Sequence, residues 1–481
     1  MLGIRRFGAY IPRMRLDRKA IASAHAWMAP SLRGQAKGER AFTSWDEDTV
    51  TMAVEAARDA LAGEDRSAID ALTFASTRAP YADLQSSAIV ADALDLDRGI
   101  ETMDAANSQR AGMSALMAAL RGEGHGLFVA SDAPLGKPAS TQEMAYGAGA
   151  AAFVLDSEDV AAKLIGHASV SANFVDHFRA ADARYDYFWE DRWIRDEAYL
   201  KLAPQAIAAA LDRAGIAIGD ITHLAMPSLL RGGAAATAKK IKFAGTLVDD
   251  LAAGCGYAGC AHAPLMLVSA LETAAPGDRI MVVGFGQGCD VLIFEATDRI
   301  GKASCRGVAG SLANGLTTDS YLRMLSFSDG IDLEWGMRSE KNGKTALSEQ
   351  YRSSDQIAGF NAGKCGECGT IQFPQLEYCV NPDCNAPAEQ FVRESLSDAP
   401  AKVLTYTADW LSYHPAPPLY VGFVQFENGA RVLMEMVDVG PDGVDVGMPL
   451  RMVLRVKEKD RERGYRRYFW KATPITGEGA N

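Results

Sequence analysis

The sequence predicts a layered α/β fold that is built twice and followed by a cysteine-ligated ribbon and a small all-β barrel. Three observations carry that prediction. Amphipathic helices alternate with short apolar runs over the first two thirds of the chain, the pattern recurs, and beyond it two cysteine pairs precede strands of period-two alternation. With 481 residues, 48% of them hydrophobic, the chain can bury large cores and divides into roughly two to four domains. The 61 acidic residues against 49 basic ones, net -12, favour solubility and argue against a nucleic-acid or anionic-membrane protein. Met1 to Arg6 lack the apolar run of a signal peptide and no stretch has the length of a membrane span, so a cytoplasmic location is expected.

The repeat sets the architecture of the first 330 or so residues. Asp46-Glu47 opens an Ala-rich helical segment through Val54 to Leu61, a short turn, and the apolar run Asp70 to Ala75. Asp196-Glu197 opens its counterpart, through Gln205 to Leu211 and then Asp220 to Ala225. Met113 to Leu120 followed by Gly126 to Ala130 is likewise echoed by Leu265 to Leu271 followed by Asp278 to Val283. Four elements in the same order indicate two similar halves packed together.

Beyond residue 330 the composition changes. Ser339 to Lys344 is a polar linker and Ala346 to Phe360 suits a short helix. Cys365-Gly366-Glu367-Cys368 and Cys379-Val380-Asn381-Pro382-Asp383-Cys384 form two knuckles that present four thiolates to one tetrahedral ion, which predicts structural zinc. Cys260, Cys289 and Cys305 read as small buried apolar residues. Val403 to Thr407, Leu419 to Phe426, Val432 to Val437 and Leu450 to Val456 alternate as strands, with Glu427-Asn428-Gly429-Ala430 as a hairpin turn, which suggests an OB-like barrel. The basic stretch Lys457 to Arg467 is interrupted by acidic residues and reads as a solvated hairpin or a contact for a ligand's phosphates rather than a nucleic-acid site.

Several segments in order carry a resemblance. They are Phe7 to Pro12, the turn Asn107-Ser108-Gln109-Arg110-Ala111-Gly112, Gly147 to Ala152, Ala238-Lys239-Lys240, and Pro276 to Ile280 leading into Gly284-Phe285-Gly286-Gln287-Gly288. Together they resemble the thiolase superfamily, closest to hydroxymethylglutaryl-CoA synthases, over roughly residues 1 to 330. The resemblance implies a duplicated thiolase-like fold, an acyl-CoA substrate and a homodimer or larger assembly. It also makes residues 363 to 475 similar to the zinc-ribbon plus OB module that accompanies thiolase-like proteins. The expected limits are 1–335 for the thiolase-like domain, with halves of about 1–165 and 166–335, then 336–392 for linker helix and ribbon and 393–481 for the OB domain.

Carried over position by position, the resemblance implies lost machinery. Gln109 occupies the place of the nucleophilic cysteine, and an amide cannot form an acyl-enzyme. The family's catalytic glutamate falls at Thr77, its histidine turn at Ala225-Met226-Pro227, and its Gly-Asn-Thr motif at Gly254-Cys255-Gly256-Tyr257. His223, two residues upstream of Ala225, reads as structural. Oxyanion donors survive in outline, from the helix start at Gln109 and from Gly286 to Gly288. Similar replacements accompany malonyl decarboxylation in loading-module ketosynthases and carbon-carbon cleavage in thiolase-like steroid side-chain aldolases.

Three functional classes follow. The favoured one is an enzyme that cleaves a β-keto- or β-hydroxyacyl-CoA by retro-Claisen, retro-aldol or decarboxylation chemistry, without an acyl-enzyme. The second is an acyltransferase with its nucleophile moved to Cys255, and the third a non-catalytic partner of an active subunit. Candidate catalytic groups are Gln109, Tyr257, His262, Cys255 and Asp104, with Tyr257 and His262 first as proton donors to an enolate. Lys239, Lys240 and Lys242 are candidates for the CoA phosphates, and Gly286 and Gly288 for close backbone approach. The aromatic-rich segment Phe174 to Trp193 suits a pocket wall or a dimer contact.

Overall fold

The computed structural model describes residues 1–302, 306–340 and 344–475. Cys305 and linker residues 341–343 lie outside the described residues. The chain forms two compact units, one of Met1–Ser44, Asp48–Ala88 and Asp97–Ser328, the other of Trp45–Glu47, Ile89–Leu96 and Asp329–Asn481.

The first unit is organised by a ten-stranded sheet. Along the chain its strands are β1 (Gly3–Tyr10), β2 (Ala71–Ala75), β3 (Glu101–Ala105), β4 (Gly126–Asp132) and β5 (Gly149–Asp156). They continue as β6 (Ala162–Ser171), β7 (His223–Ala225), β8 (Thr246–Leu247), β9 (Arg279–Phe285) and β10 (Gly288–Ala296). The spatial order is β8-β7-β9-β10-β6-β1-β5-β4-β2-β3. Each half therefore repeats one path outward from the centre: two antiparallel steps, then two parallel ones. The halves join where β1 meets β6 at Ile4 and Ala162.

Four helices complete the repeat: α1 (Thr49–Ala60), α2 (Ala111–Leu120), α3 (Ala203–Ala214) and α4 (His262–Thr273). Helices α1 and α3 pack on the outer faces of their half-sheets, while α2 and α4 pack on the inner faces and against each other. The central core is accordingly built from Met113, Leu116 and Leu120 together with Leu265, Met266 and Leu271. The sequence fits these positions locally. Asp48 caps α1 through Val50 and Thr51, Thr51 returning the bond in a capping box. Gly215, at φ +67°, ends α3 in the left-handed conformation. At Gly8 a Cβ would lie 2.4 Å from the Ala60 nitrogen, so α1 rests directly on β1. The second half departs from the first where a π-helical stretch, Ile194–Leu202, precedes α3, and in its short strands, β7 with three residues and β8 with two.

In the second unit, Asn361–Cys365, Ile371–Gln372 and Phe391–Ser395 form a three-stranded ribbon. A barrel follows from Ala401–Val403, Thr407–Asp409, Leu419–Phe426, Arg431–Met436, Pro449–Asp460 and Tyr465–Pro474. It closes because Ala401–Val403 pairs on one side with Leu419–Phe426 and on the other with Pro449–Asp460. The parallel contact of Met436 with Ala472 gives it the OB order. The basic stretch Lys457 to Arg467 is the end of a hairpin, whose turn is held by Asp460 accepting from the Arg463 amide.

Residues 45–47 belong to this unit through a buried charge network that was not apparent in the sequence. Lys471 Nζ lies 2.9 Å from Asp46 and 3.1 Å from Glu435, and sits 4.1 Å above the Trp45 ring. Arg455, fully buried, meets Glu47 at 3.2 Å and Asp438 at 2.7 Å. Burial opposes ionisation of Glu435, but the His414 hydrogen bond and the Lys471 charge hold its carboxyl down at about 2. Its folded value lies below that of an unfolded glutamate, so this stabilisation is complete above the unfolded value of about 4.3 and lost as pH falls toward 2. Chemical denaturation between pH 5 and 2.5 is expected to show a steeper acid loss in wild type than in Glu435→Gln; equal slopes would refute the coupling.

Candidate functional site

The turn before α2 takes its shape from Asn107, at φ +69°, and leads through Ser108 to Gln109. The Tyr257 hydroxyl donates to Gln109 Oε1 at 2.8 Å. Backbone bonds fix that phenol: Tyr257 N–H donates to Ala145 O at 2.8 Å, and Gly147 N–H to Tyr257 O at 2.9 Å. The Tyr257 ring stacks with Tyr146 at 6.3 Å and packs on His262 at 4.8 Å. Burial pushes the Tyr257 phenol well up, with the nearby Tyr199 and Asp176 adding to it, so the group holds its proton at neutral pH.

The other candidates have different fates. His262 accepts from the Ala258 amide at 3.1 Å on Nδ1, and its Nε2 lies 2.8 Å from Asp250 O. Both nitrogens are thus engaged by backbone, and burial depresses the imidazole to about 4. Cys255 does not present a nucleophile: it is fully buried, its Sγ donates to the Gly256 carbonyl at 3.1 Å, and burial raises the thiol to about 12. Asp104 is a helix cap, accepting from the Ser86 and Ser87 amides at 2.7 and 2.8 Å. His223 pairs with Asp278 at 3.2 Å.

A carboxylate that the sequence reading missed lies beside Thr77. Thr77 Oγ1 donates to Asp132 Oδ2 at 2.6 Å, and Cys260 N–H to the same oxygen at 3.0 Å. Burial raises the Asp132 carboxyl, against those bonds. Asp132 ends the apolar strand β4, and a carboxylate at the carboxyl end of a strand in an open α/β sheet was the available signal.

The segment Phe174 to Trp193 is tied to this site by polar bonds. The Tyr146 hydroxyl donates to Asp186 at 2.7 Å, and Asp186 also faces Arg78 at 3.5 Å and Arg179 at 3.6 Å. Arg179 reaches the Thr77 carbonyl at 2.7 Å. Phe188 lies 6.2 Å from Tyr146 and stacks on His177 at 5.2 Å. Phe178, Tyr187, Trp189 and Trp193 point outward, each about half exposed.

At Gly286 an added Cβ would sit 2.8 Å from the Arg110 nitrogen, and at Gly288, φ +121°, 2.2 Å from Val170 O. The glycine loop therefore touches the turn at Gln109 as only glycine permits. Its Gly286 amide bonds Gly288 O at 3.0 Å, so that N–H is not presented as an oxyanion donor. Lys239, Lys240 and Lys242 lie exposed at and after the end of the helix Gly233–Lys240. In the second unit the sulfurs of Cys365, Cys368, Cys379 and Cys384 all lie within 4.8 Å of one another, the pairs 365/384 and 368/379 at 3.7 and 3.5 Å. A tetrahedral ion with metal-sulfur bonds of about 2.3 Å needs sulfur-sulfur edges of about 3.8 Å, so the four thiolates fit one.

Among the described residues no helix is long and apolar enough to cross a membrane. Residues 395–455 match the family model described as ChsH2, C-terminal OB-fold domain. The hydroxymethylglutaryl-CoA synthase of Caldivirga maquilingensis is 31% identical over 354 residues, covering 70% of this chain and 99% of the relative. That of Aeropyrum pernix is 30% identical over 357 residues, covering 72% and 95%. An HMG-CoA synthase complexed with CoA superposes with a TM-score of 0.59 at 16% identity over 72% of this chain and 95% of its own. The HMG synthase of the curacin pathway, in complex with its acetyl donor-ACP, gives 0.61 at 16% identity over 82% and 100%. The first unit's repeated sheet path and nearly full-length likeness to these relatives agree, and the chain belongs to the hydroxymethylglutaryl-CoA synthase family of the thiolase superfamily.

Proposed function

We propose that the protein is an acyl-CoA-handling enzyme that cleaves a carbon-carbon bond of a β-keto- or β-hydroxyacyl-CoA without an acyl-enzyme at residue 109. The observation that carries this reading is the Gln109–Tyr257 pair at the start of α2. A carboxamide is not a nucleophile for a thioester, but its N–H groups can stabilise a developing negative charge. Its Oε1 accepts from Tyr257, which turns its amide nitrogen, without a protein partner among the described residues, toward other acceptors. That nitrogen supplies a donor for a thioester oxygen as it becomes an enolate oxygen, while the Arg110 and Ala111 amides are held by Ser108. When the bond between Cα and Cβ breaks, its electron pair flows onto that oxygen while Cβ becomes a carbonyl by loss of the β-hydroxyl proton, or a carboxyl after water has added to a β-ketone; the neutral Tyr257 phenol gives its proton to Cα and is reprotonated from solvent. His262 acts here as a positioning group behind the Tyr257 ring.

The buried, backbone-bonded thiol of Cys255 weighs against the acyltransferase reading. The CoA phosphates are assigned to Lys239, Lys240 and Lys242, whose charges have no protein partners among the described residues. The four-cysteine cluster is assigned to structural zinc, remote in role from the chemistry, and the chain is assigned to a homodimer or larger assembly.

Two outcomes are expected. Gln109→Ala folds normally and loses on the order of 100-fold in kcat on a β-oxygenated acyl-CoA, the usual cost of one oriented oxyanion donor. Unchanged kcat would sink the reading. Freshly purified protein contains about one zinc per chain, and Cys379→Ser loses it with a lower unfolding temperature. Metal-free wild-type protein of undiminished stability would contradict the assignment.

A further inference from the structure

Cleavage of a β-hydroxyacyl thioester requires a base for the β-hydroxyl proton, and the groups considered so far do not supply one. Tyr257 holds its proton, both nitrogens of His262 are engaged, Asp104 caps a helix and Cys255 is buried among carbonyls. Asp132 accepts from Thr77 and the Cys260 amide on one oxygen and from the Ala133 amide on the other. Asp186 is taken by Tyr146, Arg78 and Arg179.

His177 is differently placed. Its Nδ1 lies 3.0 Å from Asp176 Oδ2, which fixes the tautomer, and its Nε2 has no protein partner among the described residues. The ring is 8% exposed and lies flat on Phe188. Asp176 is itself oriented: its other oxygen accepts from Gln287 Nε2 at 2.9 Å, and Gln287 Oε1 accepts from Ser108 at 3.0 Å, one residue before Gln109. A second path of contacts runs from His177 through Phe188 and Tyr146 to Tyr257. An Asp-His dyad is thus wired from two sides to the Gln109–Tyr257 pair.

Building on the cleavage reading, we propose that His177 is the catalytic base, oriented by Asp176, and that the substrate is a β-hydroxyacyl-CoA cleaved by retro-aldol reaction. Nε2 takes the β-hydroxyl proton, the C–O bond becomes a carbonyl, and the bond between Cα and Cβ breaks with its electron pair passing to the enolate. Tyr257 then protonates Cα, and the proton on His177 returns to the phenolate through solvent. The products are an aldehyde or ketone and a shortened acyl-CoA, with no redox change. The charged and titratable neighbours of His177 are Asp176, Asp186 and Arg179 on its own segment and Tyr146 and Arg78 facing that segment. Burial opposes protonation of His177, but the Asp176 hydrogen bond and charge and the more distant Asp186 outweigh it, so the imidazole titrates above its ordinary value.

The test is the pH profile of kcat/KM on a panel of 3-hydroxyacyl-CoAs, 3-ketoacyl-CoAs and malonyl-CoA, with the thermal unfolding of each variant as a folding control. Wild type is expected to cleave 3-hydroxyacyl-CoA with an acid limb whose midpoint lies above the usual histidine value, activity rising as the base loses its proton. His177→Gln is expected to lose about 100-fold or more and the limb with it. Asp176→Asn moves the limb to lower pH, and imidazole partly restores His177→Ala. Wild-type cleavage that His177→Gln leaves intact in rate or limb, or activity confined to malonyl-CoA or 3-ketoacyl-CoA, overturns this proposal while carbon-carbon cleavage stands. No turnover of any member overturns both.

Discussion

Two backbone contacts that only glycine permits bring the chemistry together. A Cβ on Gly147 would lie 1.9 Å from the Cys255 carbonyl, and one on Gly112 would lie 2.1 Å from the Cys260 carbonyl. Gly112 belongs to α2 and Cys260 to the turn before α4, so the first half's inner helix meets that turn of the second half backbone to backbone at this point. Gly147 holds the parallel bridge between Tyr146 and Tyr257, which sets the Tyr257 hydroxyl on Gln109. A larger residue at either glycine forces apart the elements that carry the pair, because the obstacle is backbone and cannot rotate away.

Given that contact, the character of the site follows from burial. Desolvation raises the phenols of Tyr257 and Tyr146, which stay protonated and serve as donors. Cys255 and Cys260 are removed from water, and the same effect keeps them inert thiols. The site therefore presents an amide and an array of phenols, and its buried thiols are not reactive. The acidic groups that remain, Asp132, Asp176 and Asp186, are each held by specific donors, so charge is arranged before any substrate arrives.

Much of the fold was legible because it rests on periodicity. The apolar runs at Asp70 to Ala75 and Asp220 to Ala225 became β2 and β7, and the helices Met113 to Leu120 and Leu265 to Leu271 became the inner pair α2 and α4. The closed barrel and the four-cysteine cluster were readable from alternation and spacing. Residues 45–47 escaped because a three-residue segment carries no period, and its place depends on partners more than 400 positions away, as with Lys471 and Asp46, separated by 425. The site was only partly readable for the same reason. Gln109 and Tyr257 stood in recognisable segments, but Asp132, Tyr146, Asp176, His177 and Asp186 acquire meaning only from each other. Cys255 and Asp104 looked chemical as residue types, while their bonds to backbone groups could not be seen in one dimension.

The central claim is that bond cleavage proceeds with no covalent link between protein and acyl group. Acid-quenched intact-mass measurement during steady-state turnover of a 3-hydroxyacyl-CoA tests it directly. The account predicts the unmodified chain mass throughout, while the shortened acyl-CoA accumulates. An acyl adduct that forms and decays at the rate of turnover, mapped to any cysteine of the first unit, would contradict it.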